Sequence, residues 1–269
     1  MKFFKEFFQK PEEELSSQEK TKEELKKKFQ DPSFLPTHKE IAMAFGAKKA
    51  FSEEWYHLFH NEENHIFELL NEEYINALGD YLLERVKNIE AEKDEPIIVL
   101  EIGAGNGRLT HFLKEKLEEK CPNNKVKFVA TDSNEGISGM KIKADFPVEN
   151  FDQKNALKKY DPQIVLSSYM PYGKDFTKDF RNTESVEEYI LIGEIPCCGK
   201  LWETYGDDTE CNTNESPPHE LDGFDRYYLE ELKEYQLCQS DGPRVCLEDE
   251  HQNSNSSTVS FRKKVRNYK

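Results

Sequence analysis

The sequence predicts an α/β protein with a mostly parallel, doubly wound sheet and a helical N-terminal extension. Short apolar runs rich in β-branched residues alternate with segments whose apolar residues recur at helical spacing. One such run, at 97–102, leads through three glycines directly into a helical segment, as expected for a parallel α/β unit. We therefore expect two parts: a helical extension and cap over residues 1–92, and an α/β domain over residues 93–269.

The N-terminal part is predicted to be helical. Four phenylalanines between residues 3 and 8 form an aromatic stripe that would pack on the core or on a partner subunit, or lie on a membrane surface. The highly charged stretch 10–28 predicts a solvent-facing helix with Glu–Lys pairs one turn apart. Between residues 39 and 89, apolar and aromatic residues at helical spacing predict two or three amphipathic helices.

The segment 97–110 predicts a strand, a tight turn and the start of a helix. Its apolar run indicates a strand that is covered on both faces. Gly103, Gly105 and Gly107 follow at alternate positions, where the missing Cβ atoms allow tight backbone angles and close approach of a ligand. Apolar residues then recur at helical spacing over 108–119, so the amides at the start of this helix should point at the turn. These features predict a ligand pocket.

The remaining elements complete a sheet of seven strands. A second strand, at 126–132, ends in Asp132, and an acid at this place can accept hydrogen bonds from both ribose hydroxyls. The other predicted strands are 148–152, 163–168, 188–194, 236–240 and 258–263. Helices are predicted to start near residue 156 and to cover 227–235, with a helix or irregular crossover at 175–182 and a long irregular insertion at 196–224.

These features together resemble class I S-adenosylmethionine-dependent methyltransferases over roughly residues 97–265. The glycine motif and the ribose-binding acid of that family are matched by Glu101, Gly103, Gly105, Gly107 and Asp132. The resemblance implies that S-adenosylmethionine is the cofactor and that the last strand of the sheet is antiparallel. The cofactor-binding residues that it implies are Glu101, Gly103, Ala104, Gly105, Asn106, Gly107, Asp132, Ser133, Asp152, Ser167 and Ser168. Among these, Asp152 would serve the adenine, and the two serines would border the transferred methyl group.

The glycine turn allows two other interpretations. A dinucleotide fingerprint would require glycines at 103, 105 and 108, but position 108 is Arg and the third glycine is Gly107. The spacing therefore favours the sulfonium cofactor. In the second reading, the glycines only form a tight connection between strand and helix and bind no ligand.

The function implied by the resemblance is methyl transfer to a small molecule or to a protein side chain. Because in-line displacement at a methyl group depends mainly on positioning, no catalytic residue is obligatory. If the acceptor must lose a proton, the candidates to assist are Tyr169, Glu194, Glu203 and His219. The segment 168–172 only echoes the amino-methylase signature of an acid or Asn followed by Pro-Pro and an aromatic residue.

Alternatives to this function remain open. The domain could be a catalytically silent cofactor-binding sensor or scaffold. An RNA methyltransferase is less favoured, because the net charge of −16 opposes binding to a phosphate backbone and only the tail at 262–269 is basic. The family often carries N-terminal helices over the cofactor mouth, so some residues there could help wall the acceptor site, namely Trp55, Tyr56, His57 and His60.

Composition sets the remaining expectations. Six cysteines lack the regular spacing of a disulfide scaffold, which favours a reducing, cytoplasmic location. Zinc binding by Cys197, Cys198, Cys211 and His219 would not match paired Cys-x-x-Cys spacing, so we expect no metal. No apolar run is long enough to cross a bilayer, and we expect no membrane partner. The sequence does not indicate the oligomeric state.

Overall fold

The structure is a computed structural model that describes residues 17–45, 66–90, 96–120, 126–135, 143–207, 215–241 and 254–264. Its centre is a seven-stranded sheet. The strands are β1 (Ile97–Ile102), β2 (Val126–Asp132), β3 (Glu149–Asn150), β4 (Ile164–Ser168), β5 (Glu188–Gly193), β6 (Phe224–Tyr228) and β7 (Ser257–Lys263). The helices are α1 (Ser17–Lys28), α2 (His38–Phe45), α3 (Glu72–Glu90), α4 (Arg108–Lys120), α5 (Gln153–Tyr160), α6 (Thr177–Arg181), α7 (Pro218–Leu221) and α8 (Glu230–Lys233).

The strand order is β3-β2-β1-β4-β5-β7-β6. Strands β1 to β5 pair in parallel, and β7 runs antiparallel to both of its neighbours, β5 and β6. This arrangement confirms the predicted fold class, with a mostly parallel sheet and an antiparallel last strand. The chain moves outward in opposite directions on either side of β1, so the carboxyl ends of β1 and β4 meet at a topological switch point, where α/β proteins bind ligands.

Both faces of the sheet are covered, as expected from strands without an alternating polar face. On one face, Ile97 and Val99 of β1 belong to a core cluster with apolar residues of α3, α4 and α8. On the other face, Leu100 and Ile102 belong to a cluster with residues of α5 and α6. Helix α3 comes from the predicted N-terminal extension, and it nevertheless packs directly on the sheet.

The predicted sixth strand is wrong. Residues 236–240 were expected to form it, but the structure has β6 at Phe224–Tyr228, before the short helix α8, which covers only part of the predicted helix at 227–235. Leu237 and Cys238 are instead buried in a loop that packs against the segment 66–70, where the Leu69 amide donates to the Leu237 carbonyl at 2.8 Å. This burial explains the apolar pattern of the segment. A short buried apolar run has the same pattern whether it forms a strand or a packed loop.

The predicted N-terminal helices are only partly described. Helix α1 lies within the charged stretch 10–28, while α2 and α3 lie within the amphipathic region 39–89. Residues 66–71 lie in that region too, but they are extended rather than helical, and Glu68 forms an isolated antiparallel bridge with Cys238. The aromatic stripe at 3–8 lies outside the described residues. So do Trp55, Tyr56, His57, His60 and Cys211.

Candidate functional site

A cleft of about 620 Å³ lies at the carboxyl ends of β1, β2 and β4. This volume is within the usual range for a small-molecule site. Most of the predicted cofactor residues line it: Glu101, Gly103, Ala104, Gly105, Asn106, Asp132, Ser133, Asp152, Ser167 and Ser168. Gly107 does not. The opposite wall comes from residues 66–70, which the sequence analysis had assigned to helices of the extension.

The glycine turn has a left-handed backbone at each of its glycines, with φ of +75° at Gly103, +55° at Gly105 and +80° at Gly107. Gly103 and Ala104 donate their amides to the Thr131 carbonyl at 2.9 and 3.0 Å, which fixes the turn to β2. A Cβ on Gly103 would meet nothing within 4 Å. The turn therefore presents bare backbone to the cleft, as the spacing of its glycines predicts.

The predicted ribose acid is tied to the glycine turn. Asp132, at the end of β2, accepts the Gly105 amide through Oδ2 at 3.0 Å and the Asn134 amide through Oδ1 at 2.7 Å. The residue is partly exposed in the cleft. Since a carboxylate oxygen can accept more than one hydrogen bond, both oxygens can still accept from a ligand hydroxyl.

Glu101 is fully buried near the base of the cleft. Its Oε2 accepts the Thr110 amide at 3.1 Å and the Thr110 hydroxyl at 2.6 Å, so it satisfies a donor in the first turn of α4. Burial raises the pKa of this carboxyl to about 7, with a smaller contribution from the charge of Asp132. The side chain therefore joins β1 to α4 from within the site.

Asp152, Ser167 and Ser168 lie at two other edges of the cleft. Asp152 caps α5, because its Oδ1 accepts the Asn155 amide at 2.8 Å, and it is exposed. At the end of β4, Ser167 is buried and Ser168 is partly exposed. The cap accounts for Asp152 structurally, and its role toward adenine stays a prediction.

Of the four candidates for proton transfer, Tyr169 lines the cleft. Glu194, which accepts a hydrogen bond from the Ser240 hydroxyl, lies outside its lining. Glu203 is an exposed residue in a single π-helical turn at Leu201–Tyr205. His219 is 3% exposed and packs edge-on against Phe261, and burial lowers its pKa to about 4. The structure therefore does not bring these four groups together.

Tyr169 holds an unusual backbone conformation directly after β4. Its φ is +51°, which is uncommon for an aromatic residue, and its amide donates to the Ile192 carbonyl at 2.8 Å. The ring stacks on Phe67 with centroids 5.3 Å apart, and the hydroxyl donates to Glu68 Oε2 at 2.9 Å. Tyr169 thus spans from the sheet edge to the opposite wall.

Sequence reasoning missed Phe67, Glu68 and Arg108 as cleft residues. Phe67 and Glu68 reach the site by contacting Tyr169, which is about 100 positions away in the sequence. No local sequence pattern indicates such a contact. Arg108 directly follows the glycine motif and could have been noticed there. Its Nη2 donates to the Phe34 carbonyl at 2.9 Å, while its buried Nε has no partner.

Among the described residues, no group of three or more His, Cys, Asp or Glu side chains is placed to hold a metal ion. No helix in the described part of the chain is long and apolar enough to cross a membrane.

The comparisons with known proteins concern the fold. No protein-family model and no curated protein matches the chain. Among solved structures, it aligns with DszA carbon methyltransferase over 71% of this chain and 53% of that one, at 13% identity and a TM-score of 0.42. It aligns with CurJ carbon methyltransferase over 70% and 54%, at 12% identity and a TM-score of 0.37. The chain thus spans about half the length of both.

A third solved structure is the plantazolicin methyltransferase BpumL in complex with SAH. The alignment covers 91% of this chain and 99% of that one, at 10% identity and a TM-score of 0.35. The fold assignment rests on the chain's own topology. The mostly parallel sheet, the antiparallel β7 and the glycine turn after β1 are those of the class I methyltransferase fold.

Proposed function

We propose that this chain binds S-adenosylmethionine in the cleft and transfers its methyl group to a small molecule or a protein side chain. The observation that carries the proposal is the hydrogen bond from the Gly105 amide to Asp132 Oδ2. It joins the bare backbone of the glycine turn to a carboxylate that can accept ribose hydroxyls, at the switch point of the sheet.

The other cleft residues fit the parts of the cofactor by their chemistry. The first turn of α4 directs amides toward the glycine turn, and amides at a helix start favour a carboxylate. Arg108, at the start of α4, adds a buried cation with an unpartnered Nε. Asp132 is suited to the ribose, while Phe151 and Asp152 line the part of the cleft beyond β2 and are suited to the adenine.

When bound, S-adenosylmethionine supplies a methyl group on a positively charged sulfur. The chain has to hold the acceptor in line with that group and exclude water. The wall at residues 66–70 is apolar apart from Glu68, and together with Met170 and Phe176 it provides an apolar surface facing the sheet edge. Proton removal from an acceptor falls to Tyr169 among the candidates, since it is the one that lines the cleft.

Calorimetric titration with S-adenosylhomocysteine, the product form of the cofactor, tests the proposal. We expect the wild-type chain to bind it and Asp132→Ala to bind at least tenfold more weakly, because the ribose hydroxyls lose a charged acceptor. Glu119→Ala, which removes an exposed carboxylate from α4, is the matched control and should bind like wild type. Equal affinity in all three proteins, or no binding by wild type, contradicts the proposal.

A catalytically silent sensor is the second candidate, since Glu194, Glu203 and His219 lie outside the lining of the cleft. Both candidates predict cofactor binding. They differ in turnover, which is measured as conversion of S-adenosylmethionine to S-adenosylhomocysteine in the presence of fractionated small molecules and proteins. Conversion that requires an acceptor fraction supports the enzyme, and tight binding without conversion supports the sensor.

A further inference from the structure

We propose that the methyl acceptor is a basic amine, and that Tyr169 and Glu68 hold its nitrogen in the cleft. Tyr169 would contact the nitrogen directly, and Glu68 would act through Tyr169 as a positioning residue that supplies negative charge. This inference rests on the proposed function and extends it to the class of acceptor. The part of the cleft lined by Phe67, Glu68 and Tyr169 is called the acceptor end below.

The acceptor end is built from distant parts of the chain. Phe67 and Glu68 belong to the extended segment before α3, whereas Tyr169 follows β4. All three line the same cleft as Gly103 and Asp132. Tyr169 is partly exposed and lines the cleft, so a bound molecule can contact it.

The hydrogen bonds of Glu68 leave room for a further partner. Oε1 accepts the Leu237 amide at 3.1 Å, while Oε2 accepts the Tyr169 hydroxyl at 2.9 Å and the Ser256 hydroxyl at 2.7 Å. A phenol that donates one hydrogen bond can still accept another at the same oxygen. Tyr169 is therefore oriented by Glu68 to accept a hydrogen bond from an N–H group in the cleft.

The electrostatic surroundings of Glu68 favour a cation. Burial is the main cause that raises the pKa of the Glu68 carboxyl to about 8, and the charge of Asp241 adds to it. Among the described residues, no Lys, Arg or His is a main contributor to the pKa of the Glu68 carboxyl. In the described part of the chain, the titratable groups with a main interaction with Glu68 are neutral or acidic: Tyr74, Tyr169, Cys198, Cys238 and Asp241. The charge of Glu194 contributes to raising the pKa values of Tyr169, Cys198 and Cys238.

An ammonium group would supply the missing positive charge. It can donate to the Tyr169 oxygen and lie near the faces of the stacked Phe67 and Tyr169 rings, which attract cations. A neutral hydroxyl or thiol acceptor would lack this electrostatic attraction to the Glu68 carboxylate. The lining of the whole cleft is also acidic, with six carboxylates (Glu68, Glu101, Asp132, Glu135, Asp152 and Asp175) against three bases (Arg108, Lys154 and Lys174).

The chemical step balances with these groups. Binding of the ammonium first displaces the proton of Glu68 to solvent, which leaves the carboxylate ionised. The ammonium then gives one proton to the Tyr169 oxygen while the phenol's own proton passes to Glu68 Oε2, which frees the nitrogen lone pair. That lone pair then forms the new bond between nitrogen and the methyl carbon. The bond between sulfur and this carbon breaks with its electron pair left on sulfur, so the sulfonium becomes a neutral thioether.

Sinefungin provides a defined probe for the acceptor end. It is an analogue of S-adenosylmethionine in which a carbon bearing an amine replaces the sulfonium with its methyl group, so its ammonium should face the acceptor end. The quantity to measure is the ratio of its affinity to that of S-adenosylhomocysteine, which lacks this amine. The ratio is determined by calorimetry for wild type, Glu68→Gln, Tyr169→Phe and the control Tyr172→Phe, whose exposed ring belongs to the same loop.

We expect wild type and Tyr172→Phe to prefer sinefungin at least tenfold, and Glu68→Gln and Tyr169→Phe to lose most of this preference. Urea unfolding of each variant checks that the protein is folded. An affinity ratio that is the same in all four proteins overturns the inference. If wild type fails to bind S-adenosylhomocysteine, the proposed function itself fails, and this result is distinct from an unchanged ratio.

Proton release separates a charge role of Glu68 from a merely structural one. At pH 7 the carboxyl is mostly protonated, because its pKa is raised to about 8, and a bound cation should displace that proton. We therefore expect sinefungin binding to release up to one proton more than S-adenosylhomocysteine binding, measured from binding enthalpies in buffers of different ionisation enthalpy. This difference should vanish in Glu68→Gln. Its persistence there would overturn the inference.

Discussion

Two glycines of the turn after β1 have the same kind of backbone but different surroundings. The φ angles are +75° at Gly103 and +80° at Gly107. A Cβ on Gly107 would lie 2.8 Å from Val148 Cγ2 and 3.4 Å from Phe146 Cβ, whereas a Cβ on Gly103 would meet nothing within 4 Å. Alanine at each position therefore separates the cost of backbone strain from the cost of a steric clash.

The two substitutions should differ in their effect on stability. A residue with a Cβ in left-handed backbone costs about 1–2 kcal/mol, and this cost applies to both. Gly107→Ala adds overpacking against Val148, which costs about 1–3 kcal/mol more. We thus expect a loss of about 1–2 kcal/mol for Gly103→Ala and about 2–5 kcal/mol for Gly107→Ala.

Ligand binding should show the opposite order. Gly103 lines the cleft and Gly107 does not, so a methyl group at 103 would stand where a ligand approaches the backbone. Urea unfolding measures the first effect, and calorimetric titration with S-adenosylhomocysteine measures the second. Equal destabilisation by both substitutions, or a larger loss of affinity in Gly107→Ala, would refute this reasoning.

Three further predictions concern carboxylates. Glu188 is fully buried and pairs with Arg85 at 2.5 Å, so Glu188→Ala should lower the free energy of unfolding by about 3 kcal/mol. Glu187 is more exposed, and Glu187→Ala should lower it by under about 1 kcal/mol. Urea unfolding compares the two variants. The pKa of Glu101 is raised by burial from 4.5 to about 7, so between these pH values the folded protein holds a proton that the unfolded chain has lost. Stability should therefore fall by on the order of 3 kcal/mol as pH rises across this window, and Glu101→Gln should lack this part of the slope in unfolding measured at several pH values. Asp152→Ala should cost about 1 kcal/mol by removing the cap of α5, and Asp152→Asn, which can still cap, should keep thermal stability near that of wild type.

The positions of most strands along the chain could be predicted from the sequence. Strands β1, β4 and β5 contain short apolar runs, and burial on both faces of a sheet selects such runs directly. Strands β2 and β7 are less apolar, but β-branched or aromatic residues recur in both of them. The prediction of a sixth strand at 236–240 was wrong for the same physical reason. Burial also selects apolar residues in a packed loop, while β6 at Phe224–Tyr228 lies at the sheet edge and is partly exposed.

Half of the candidate site follows from local sequence. The glycine turn and Asp132 are adjacent to strand ends, and parallel strands bring their carboxyl ends to one edge, so their meeting in the cleft was predictable. The position of the wall at residues 66–70 could not be predicted in this way. Its residues were expected in a helix because apolar spacing there fits one, but the Leu69 amide pairs with Leu237 and holds the segment extended.

The sequence by itself determined most of the segments that form the sheet and where a ligand can approach bare backbone, because these properties depend on the apolar character and the Cβ atoms of neighbouring residues. Only the tertiary structure decided that Glu68 meets Tyr169 and that Gly107 faces Val148. Such contacts join residues that are far apart in the chain. Their energies come from packing and burial in three dimensions, and these leave no periodic pattern in the sequence.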